Sequence, residues 1–117
     1  RSRGHGAELF RHLAGGCRQR GTTRALLLEV EDPEALEMPA LDLAWRRIGF
    51  YQRLGCGLLT GVAYSQRAAP WAPRTRMRWM VLPFAPMGPE DALRLIRAST
   101  EVEISQVGTL GLEFGEG

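Results

Sequence analysis

With 117 residues, the chain is long enough for one domain with a modest hydrophobic core. Charged residues make up 24% and hydrophobic residues 44%, which excludes a disordered polyelectrolyte and is typical of a soluble globular protein. Apolar runs such as residues 25–28 are strand-sized, far shorter than the roughly 20 residues of a membrane-spanning helix. The first residues contain no apolar segment of a secretory signal, so we expect a cytoplasmic protein with no membrane partner.

Charge and cysteine content restrict the chemistry further. All 15 basic residues are arginine, which we attribute to coding bias in a GC-rich genome. The net charge of +2 is too small for a typical nucleic-acid binder, which makes an arginine-rich nucleic-acid partner the weakest functional hypothesis. The two cysteines, Cys17 and Cys56, are too few for a disulfide scaffold and lack metal-ligand spacing, so we expect no metal.

The chain begins with a predicted helix and a predicted strand. Residues 6–20 have apolar side chains at helical spacing, which predicts an amphipathic helix capped by Gly21. Residues 24–31 form a nearly continuous apolar run, which indicates a strand buried on both faces. Asp32 and Pro33 end this strand, and an acidic loop follows.

A second helix and a second strand are predicted next. Residues 42–54 predict a helix with Asp42 as its N-cap or first-turn acid and Gly55 as its C-cap. Its apolar stripe contains Leu41, Ala44, Trp45 and Ile48. Residues 58–64 predict a strand, with a possible bulge at Gly61.

The remaining residues predict three further elements. Residues 67–74 contain two prolines and predict a loop, and residues 76–82 partly alternate, as a strand with one exposed face does. Residues 89–98 predict a helix that begins with a proline and two acids. Residues 101–105 indicate a possible edge strand, and we expect the glycine-rich tail 109–117 to fray. This order predicts one α/β domain over residues 1–117, with helices packed against a mixed sheet.

The segment before the first helix is a candidate anion-binding site. Gly4 and Gly6 let the backbone turn tightly, so that several N–H groups converge at the positive end of the helix dipole. Arg1 and Arg3 add positive charge, which favours a phosphate or pyrophosphate; a plain loop-to-helix junction is the alternative. A P-loop is excluded because the chain has no lysine, and a dinucleotide fingerprint because Leu9 stands where its third glycine belongs.

A second motif lies at the end of the second predicted helix, where Tyr51 is followed by Gly55 and then Cys56. Together with the Arg-x-x-Gly-x-Gly pattern of residues 1–6, it resembles the GNAT superfamily of acyl-coenzyme-A-dependent N-acetyltransferases. The pyrophosphate loop of that family reads Gln/Arg-x-x-Gly-x-Gly/Ala, and its later helix ends in Tyr-x-x-x-Gly-Phe. The matching part covers residues 1–59, and the strand-loop-strand beyond it is compatible with the family's C-terminal hairpin.

The resemblance implies a GNAT-like fold and the transfer of an acetyl group from acetyl-CoA, by direct attack, to the amine of a small molecule or peptide. It implies that the coenzyme pyrophosphate is held by the first loop, through Arg1, Arg3, Gly4, His5, Gly6 and Ala7. It also implies that Tyr51 lies near the thioester sulfur and protonates the leaving thiolate. The alternative is that Tyr51 packs beside Phe50, with its hydroxyl bonded to the backbone.

The amine must lose a proton, and Glu29 is the candidate base. It lies near the end of a strand predicted to be buried, where partial desolvation would raise its pKa toward a useful value. Three alternatives stay open: Glu29 pairs with Arg24 or Arg78, the base is a water relay, or the base lies outside this sequence.

Two positions depart from the family pattern. Ala44 stands where an asparagine often precedes the tyrosine by seven residues, and Cys56 replaces the usual phenylalanine. These departures support an alternative function, a non-catalytic GNAT-like module that binds an acyl-CoA or a partner. The three tryptophans are interpreted as core and substrate-loop packing, and the alternating arginines 74, 76 and 78 as a solvated strand face.

In the family, strands and helices precede the pyrophosphate loop. A strand over residues 24–31 without a neighbour on one side would expose an apolar edge. We therefore expect this chain to be the later part of a larger domain of about 160 to 200 residues, with its N-terminal strands and helices missing. The loop 65–74 is the expected contributor to acceptor choice, and a homodimer is a further possibility.

Overall fold

The computed structural model describes residues 8–12, 15, 24–67 and 69–115. Its regular elements, in chain order, are β1 (Ala25–Glu31), a 3₁₀ turn (Pro33–Ala35), α1 (Ala40–Arg53), β2 (Gly57–Gln66), β3 (Thr75–Pro83), α2 (Pro89–Ser99) and β4 (Ser105–Glu113). Residues 8–12 are helical, in agreement with the predicted first helix, whose remaining length and Gly21 cap lie largely outside the described residues. Helices packed against a sheet confirm the α/β class.

The four strands form one sheet in the order β1-β3-β2-β4. All three pairings in this described sheet are antiparallel, whereas we expected a mixed sheet. β2 and β3 are joined by the loop predicted at residues 67–74, and β3 then inserts between β1 and β2. In the part of the chain that the structure describes, no helix is long and apolar enough to cross a membrane.

Apolar side chains cover both faces of the sheet. On the α1 face, the buried residues are Phe10, Val30, Ile48, Cys56, Leu58, Met80 and Leu82. On the α2 face, they are Leu59, Val62, Tyr64, Trp79, Val81, Ala92, Leu93, Ile96 and Ile104. Successive residues of a strand point to opposite faces, so neighbours in β3 such as Trp79 and Met80 belong to different cores.

Two burial predictions were wrong because the sheet order could not be derived from the chain. β1 pairs only with β3 in the described sheet, and Val30 alone among its residues is buried. β3 was expected to have an exposed face, but residues 79–82 are all buried. The reason is its central place, with a paired strand on each side and a core on each face.

Helix α1 begins two residues earlier than predicted. Pro39 occupies the N-cap, and Asp42 lies in the first turn, where it forms an ion pair with Arg46 at 3.0 Å. Ala44 and Ile48 are buried as predicted, but Trp45 is 49% exposed. Gly55 follows the last helical turn with a φ of 102°, a conformation that glycine adopts without strain.

The C-terminal tail does not fray, contrary to the prediction. Residues 105–113 form β4 and pair with β2, whereas no strand forms over residues 101–104. The register of β2 shifts around Gly61, which confirms the predicted bulge. At Gly61 the φ is 88° and any Cβ would collide with the backbone carbonyl of Thr109, so β4 can approach only a glycine here.

A buried carboxylate joins the end of β1 to β3. Asp32 is 1% exposed, and its two oxygens form ion pairs with Arg76 Nε at 2.7 Å and with Arg78 Nε at 3.3 Å. It also accepts from the backbone N–H of Glu34 at 3.1 Å and so caps the 3₁₀ turn. Arg76 and Arg78 were expected on a solvated face; instead they neutralise this carboxylate.

We predict that Asp32→Ala destabilises the fold by about 3–5 kcal/mol, because it leaves the largely buried guanidinium of Arg78 without its main partner. The measurement is urea unfolding followed by circular dichroism. Asp42→Ala is the matched control: it removes an exposed pair and should change the free energy of unfolding by about 0.5 kcal/mol. Equal effects of the two substitutions would contradict the role given to Asp32.

Candidate functional site

The coenzyme-binding residues predicted in the first loop lie outside the described residues. These are Arg1, Arg3, Gly4, His5, Gly6 and Ala7. The structure describes the helix that follows them from Glu8 onward. In this helix the side chain of Phe10 is buried.

Tyr51 lies in the last turn of α1, half-buried at the edge of the α1-face core. Its ring centroid is 5.7 Å from that of Phe10, and the two rings are tilted by 54°. A second contact, with Phe50, is edge-on at 5.3 Å. Packing on the common core thus brings Tyr51 against the helix that follows the candidate phosphate loop.

The hydroxyl of Tyr51 forms no hydrogen bond with another residue of the described ranges, and its ring contacts Phe50 as the alternative interpretation expected. The backbone carbonyl of Tyr51 instead accepts from the N–H groups of Leu54 and Cys56, both at 3.0 Å. These bonds close the end of the helix and hold the tyrosine at its last turn.

Cys56 and Ala44, the two departures from the family pattern, are both buried in the core. Cys56 is 0% exposed and packs on the α1 face, and burial raises the pKa of its thiol to about 11. A protonated, inaccessible thiol is a packing group rather than a nucleophile. Cys17 lies outside the described residues. Within the described ranges no three potential metal ligands come together.

Glu29 is exposed, so the partial burial expected for a catalytic base is absent. Its partner is neither Arg24 nor Arg78, the two alternatives proposed from the sequence. Instead its Oε2 accepts a hydrogen bond of 2.8 Å from the hydroxyl of Tyr64. Glu29 therefore acts in this structure as the acceptor for a buried phenol.

Tyr51 and Glu29 lie on opposite faces of the sheet. In β1, Leu28 and Val30 pack on the α1 face with Tyr51, whereas Leu27 packs on the α2 face. Glu29 has the same parity as Leu27, and its partner Tyr64 belongs to the α2 face. The expectation that these two residues share one active site is therefore corrected: strand alternation separates them.

Tyr64 and Trp79 form a buried polar-aromatic pair that the sequence did not reveal. Tyr64 is 5% exposed, and its ring stacks on Trp79 with a centroid distance of 5.6 Å and an angle of 19°. Trp79 lies directly opposite Glu29 in the β1–β3 ladder. Its buried Nε1 has no hydrogen-bond partner within the described chain. The signal that could have found this pair was a single glutamate inside an apolar strand.

Two open clefts flank α2, and neither includes Tyr51 or Glu29. One, of about 200 Å³, is lined by Arg24, Met87, Asp91, Arg94, Leu95 and Ala98. The other, of about 290 Å³, is lined by Glu90, Leu93, Arg94, Arg97 and Leu110. Asp91 pairs with Arg94 at 3.1 Å and accepts from the N–H of Gly88, a bond that holds its pKa below the usual range.

Comparison of the chain with models of known protein families, with curated proteins and with solved structures finds no match. The resemblance to acyltransferases therefore rests on the two motifs in the sequence.

We predict that Tyr64 makes the protein unusually sensitive to alkali. Burial, the hydrogen bond to Glu29 and the charge of that carboxylate raise the pKa of Tyr64 above its ordinary value of 10.0. The unfolded chain therefore loses this proton before the folded chain does, so stability is full below about pH 10 and falls by about 1.4 kcal/mol per pH unit above it.

Tyr64→Phe removes the contribution of the Tyr64 proton. The buried thiol of Cys56 also has a raised pKa, but it is present in both proteins, so its contribution cancels in the comparison. The free energy of unfolding of the natural chain should therefore fall faster than that of the variant between about pH 10 and pH 11. Denaturant unfolding at the two pH values measures the difference. Parallel losses in the two proteins would show that Tyr64 ionises alike in the folded and unfolded states.

Proposed function

We propose that the protein is an N-acyltransferase that moves the acetyl group of acetyl-CoA to an amine. The observation that supports this most directly is the contact between Phe10 and Tyr51 at 5.7 Å. It brings the helix that follows the first motif, which is suited to pyrophosphate, against Tyr51 of the second motif, which is suited to a proton donor. If the chain has the fold of this family, the two motifs must lie close together in space.

The loop before the first helix would hold the pyrophosphate. Gly4 and Gly6 allow its backbone N–H groups to converge, and the helix that follows provides the positive end of its dipole. Arg1 and Arg3 supply charge that the diphosphate needs. Phe10, buried one turn further on, anchors that helix to the α1-face core.

Tyr51 would act as the general acid. The amine nitrogen attacks the thioester carbon, the bond from that carbon to sulfur breaks, and the leaving sulfur takes the phenolic proton. A phenol is a neutral donor near pH 7, and such help accelerates a reaction by about 10²- to 10⁴-fold. The hydroxyl of Tyr51 is suited to this step, because no described residue accepts a hydrogen bond from it.

Glu29 is not retained as the base that receives the amine proton. It lies on the α2 face, across the sheet from Tyr51, and Tyr64 already donates to it. A direct role for both residues would require one substrate to reach both faces of the sheet. A water relay and a base outside this sequence are the two alternatives that stay open.

A non-catalytic acyl-CoA-binding module is the second candidate. It is favoured by Ala44 and Cys56, since the two positions that depart from the family pattern are both buried packing groups. Such a module would use the same loop and the same helix contact, without needing the hydroxyl of Tyr51. The two candidate functions therefore differ in whether the hydroxyl of Tyr51 is required, which a single substitution can test.

We predict that Tyr51→Phe lowers turnover by about 10²- to 10⁴-fold and leaves acetyl-CoA affinity nearly unchanged, because only the proton donor is lost. Thiol release from acetyl-CoA over a panel of amines measures turnover, and calorimetry measures affinity. Tyr64→Phe is the matched control, since it removes the other phenol on the opposite face and should retain turnover. Glu29→Gln should retain turnover as well.

Each outcome separates the hypotheses. Coenzyme binding without turnover in the natural protein would favour the binding module. Turnover that survives Tyr51→Phe would contradict the role of Tyr51, and a large loss in Glu29→Gln would restore Glu29 as the base. Absence of coenzyme binding would contradict both candidate functions.

A further inference from the structure

The tip of the β2–β3 hairpin is apolar, and its described residues Pro70, Trp71 and Pro73 are exposed to solvent. Between Arg67 and Arg74 the sequence reads Ala-Ala-Pro-Trp-Ala-Pro, without one polar side chain. Trp71 is 87% exposed, the most exposed of the large hydrophobic residues in the described chain. A turn bond from the N–H of Ala72 to the carbonyl of Ala69, at 3.0 Å, helps to shape the tip.

Two arginines form a collar at the base of this tip. Gln66 pairs with Thr75 in the antiparallel ladder, so the next positions outward, Arg67 and Arg74, lie across from one another. Like charges opposite one another in a hairpin are destabilising, and these two have no ion pair within the described chain. Each donates only to a backbone carbonyl, Arg67 to Pro70 at 3.0 Å and Arg74 to Ser65 at 3.5 Å.

The collar differs from the neighbouring arginines of β3. Arg76 and Arg78 are neutralised by the buried carboxylate of Asp32, and Arg78 also contacts Glu34 at 3.4 Å. No acidic residue occurs between positions 35 and 89 except Glu37 and Asp42, and Asp42 is paired with Arg46. The positive charge at Arg67 and Arg74 is therefore available to an external anion.

We propose that this hairpin tip is an interfacial anchor for an anionic lipid bilayer. An exposed tryptophan favours the boundary between headgroups and acyl chains, and arginines behind it meet the lipid phosphates. An acidic polypeptide would satisfy the arginines but would leave a convex apolar tip in water unless it also offered a pocket for Trp71. The combination of an apolar tip with a basic collar therefore favours a membrane surface.

This inference revises the expectation that the protein has no membrane partner, and it does not depend on acyl transfer. Each arginine near an anionic surface strengthens binding about fivefold. One tryptophan and two arginines form a weak, reversible anchor. An apolar group or a basic patch alone gives only marginal attachment, so the tip needs both the tryptophan and the arginines. We therefore expect binding that increases with anionic lipid and decreases with salt.

The test is co-sedimentation of the full chain with vesicles of phosphatidylcholine alone or mixed with phosphatidylserine. The natural protein should bind the mixed vesicles and bind pure phosphatidylcholine at least tenfold more weakly, as expected for two arginines at a charged surface. Trp71→Ala and the double variant Arg67→Ala/Arg74→Ala should each lose most of this binding. Trp45→Ala and Arg46→Ala/Arg94→Ala change a tryptophan and the same number of charges elsewhere, and both should bind like the natural protein.

A second readout does not depend on comparing variants of different stability. In a Trp45→Phe background, emission from exposed Trp71 should shift to shorter wavelength on addition of the mixed vesicles, while buried Trp79 is already shielded. No binding to mixed vesicles, or equal binding by Trp71→Ala and Trp45→Ala, would overturn the proposal. Binding to polyglutamate but not to vesicles would overturn it in favour of an acidic polypeptide partner.

Discussion

The carboxylate of Asp32 lies out of solvent where β1 ends, and the guanidinium groups of Arg76 and Arg78 on β3 hold its two oxygens. A buried carboxylate is stable only when its charge and lone pairs are satisfied, so this contact favours β3 as the strand beside the end of β1. The same oxygen that meets Arg78 caps the 3₁₀ turn through the N–H of Glu34 and so directs the chain toward α1. One side chain therefore contacts both the neighbouring strand and the turn that leads to α1.

Once β3 lies between β1 and β2, alternation along the strands sorts the chemistry onto two faces. The α1 face holds Phe10 and Tyr51, whose rings are in contact. The α2 face holds Tyr64 and Trp79, with Glu29 at its exposed edge. The phenol of the first pair has no hydrogen-bond partner among the described residues, whereas the phenol of the second pair donates to Glu29.

Local patterns in the sequence predicted β1, α1, β2, β3 and α2 to within a few residues, because apolar periodicity and the proline and glycine boundaries act locally. These local patterns could not predict the sheet order, because an apolar alternation with a period of two identifies a strand but not the strand that it pairs with. β4 was missed because its glycines suggested a frayed end, whereas Gly111 and Gly61 allow it to approach β2 closely. For the site, the sequence predicted Tyr51 and Glu29 in one active site but could not predict that they lie on different faces, since the face of a strand residue depends on the same unknown order.

The functional account depends on a coenzyme lying where the first helix meets Tyr51. The most direct measurement is an NMR titration of the protein, labelled on its phenylalanine and tyrosine rings, with acetyl-CoA. The account predicts saturable shifts of the ring signals of Phe10 and Tyr51, with the Tyr64 ring unchanged on the opposite face of the sheet. Shifts confined to Tyr64, or no saturable change in any ring, would contradict it.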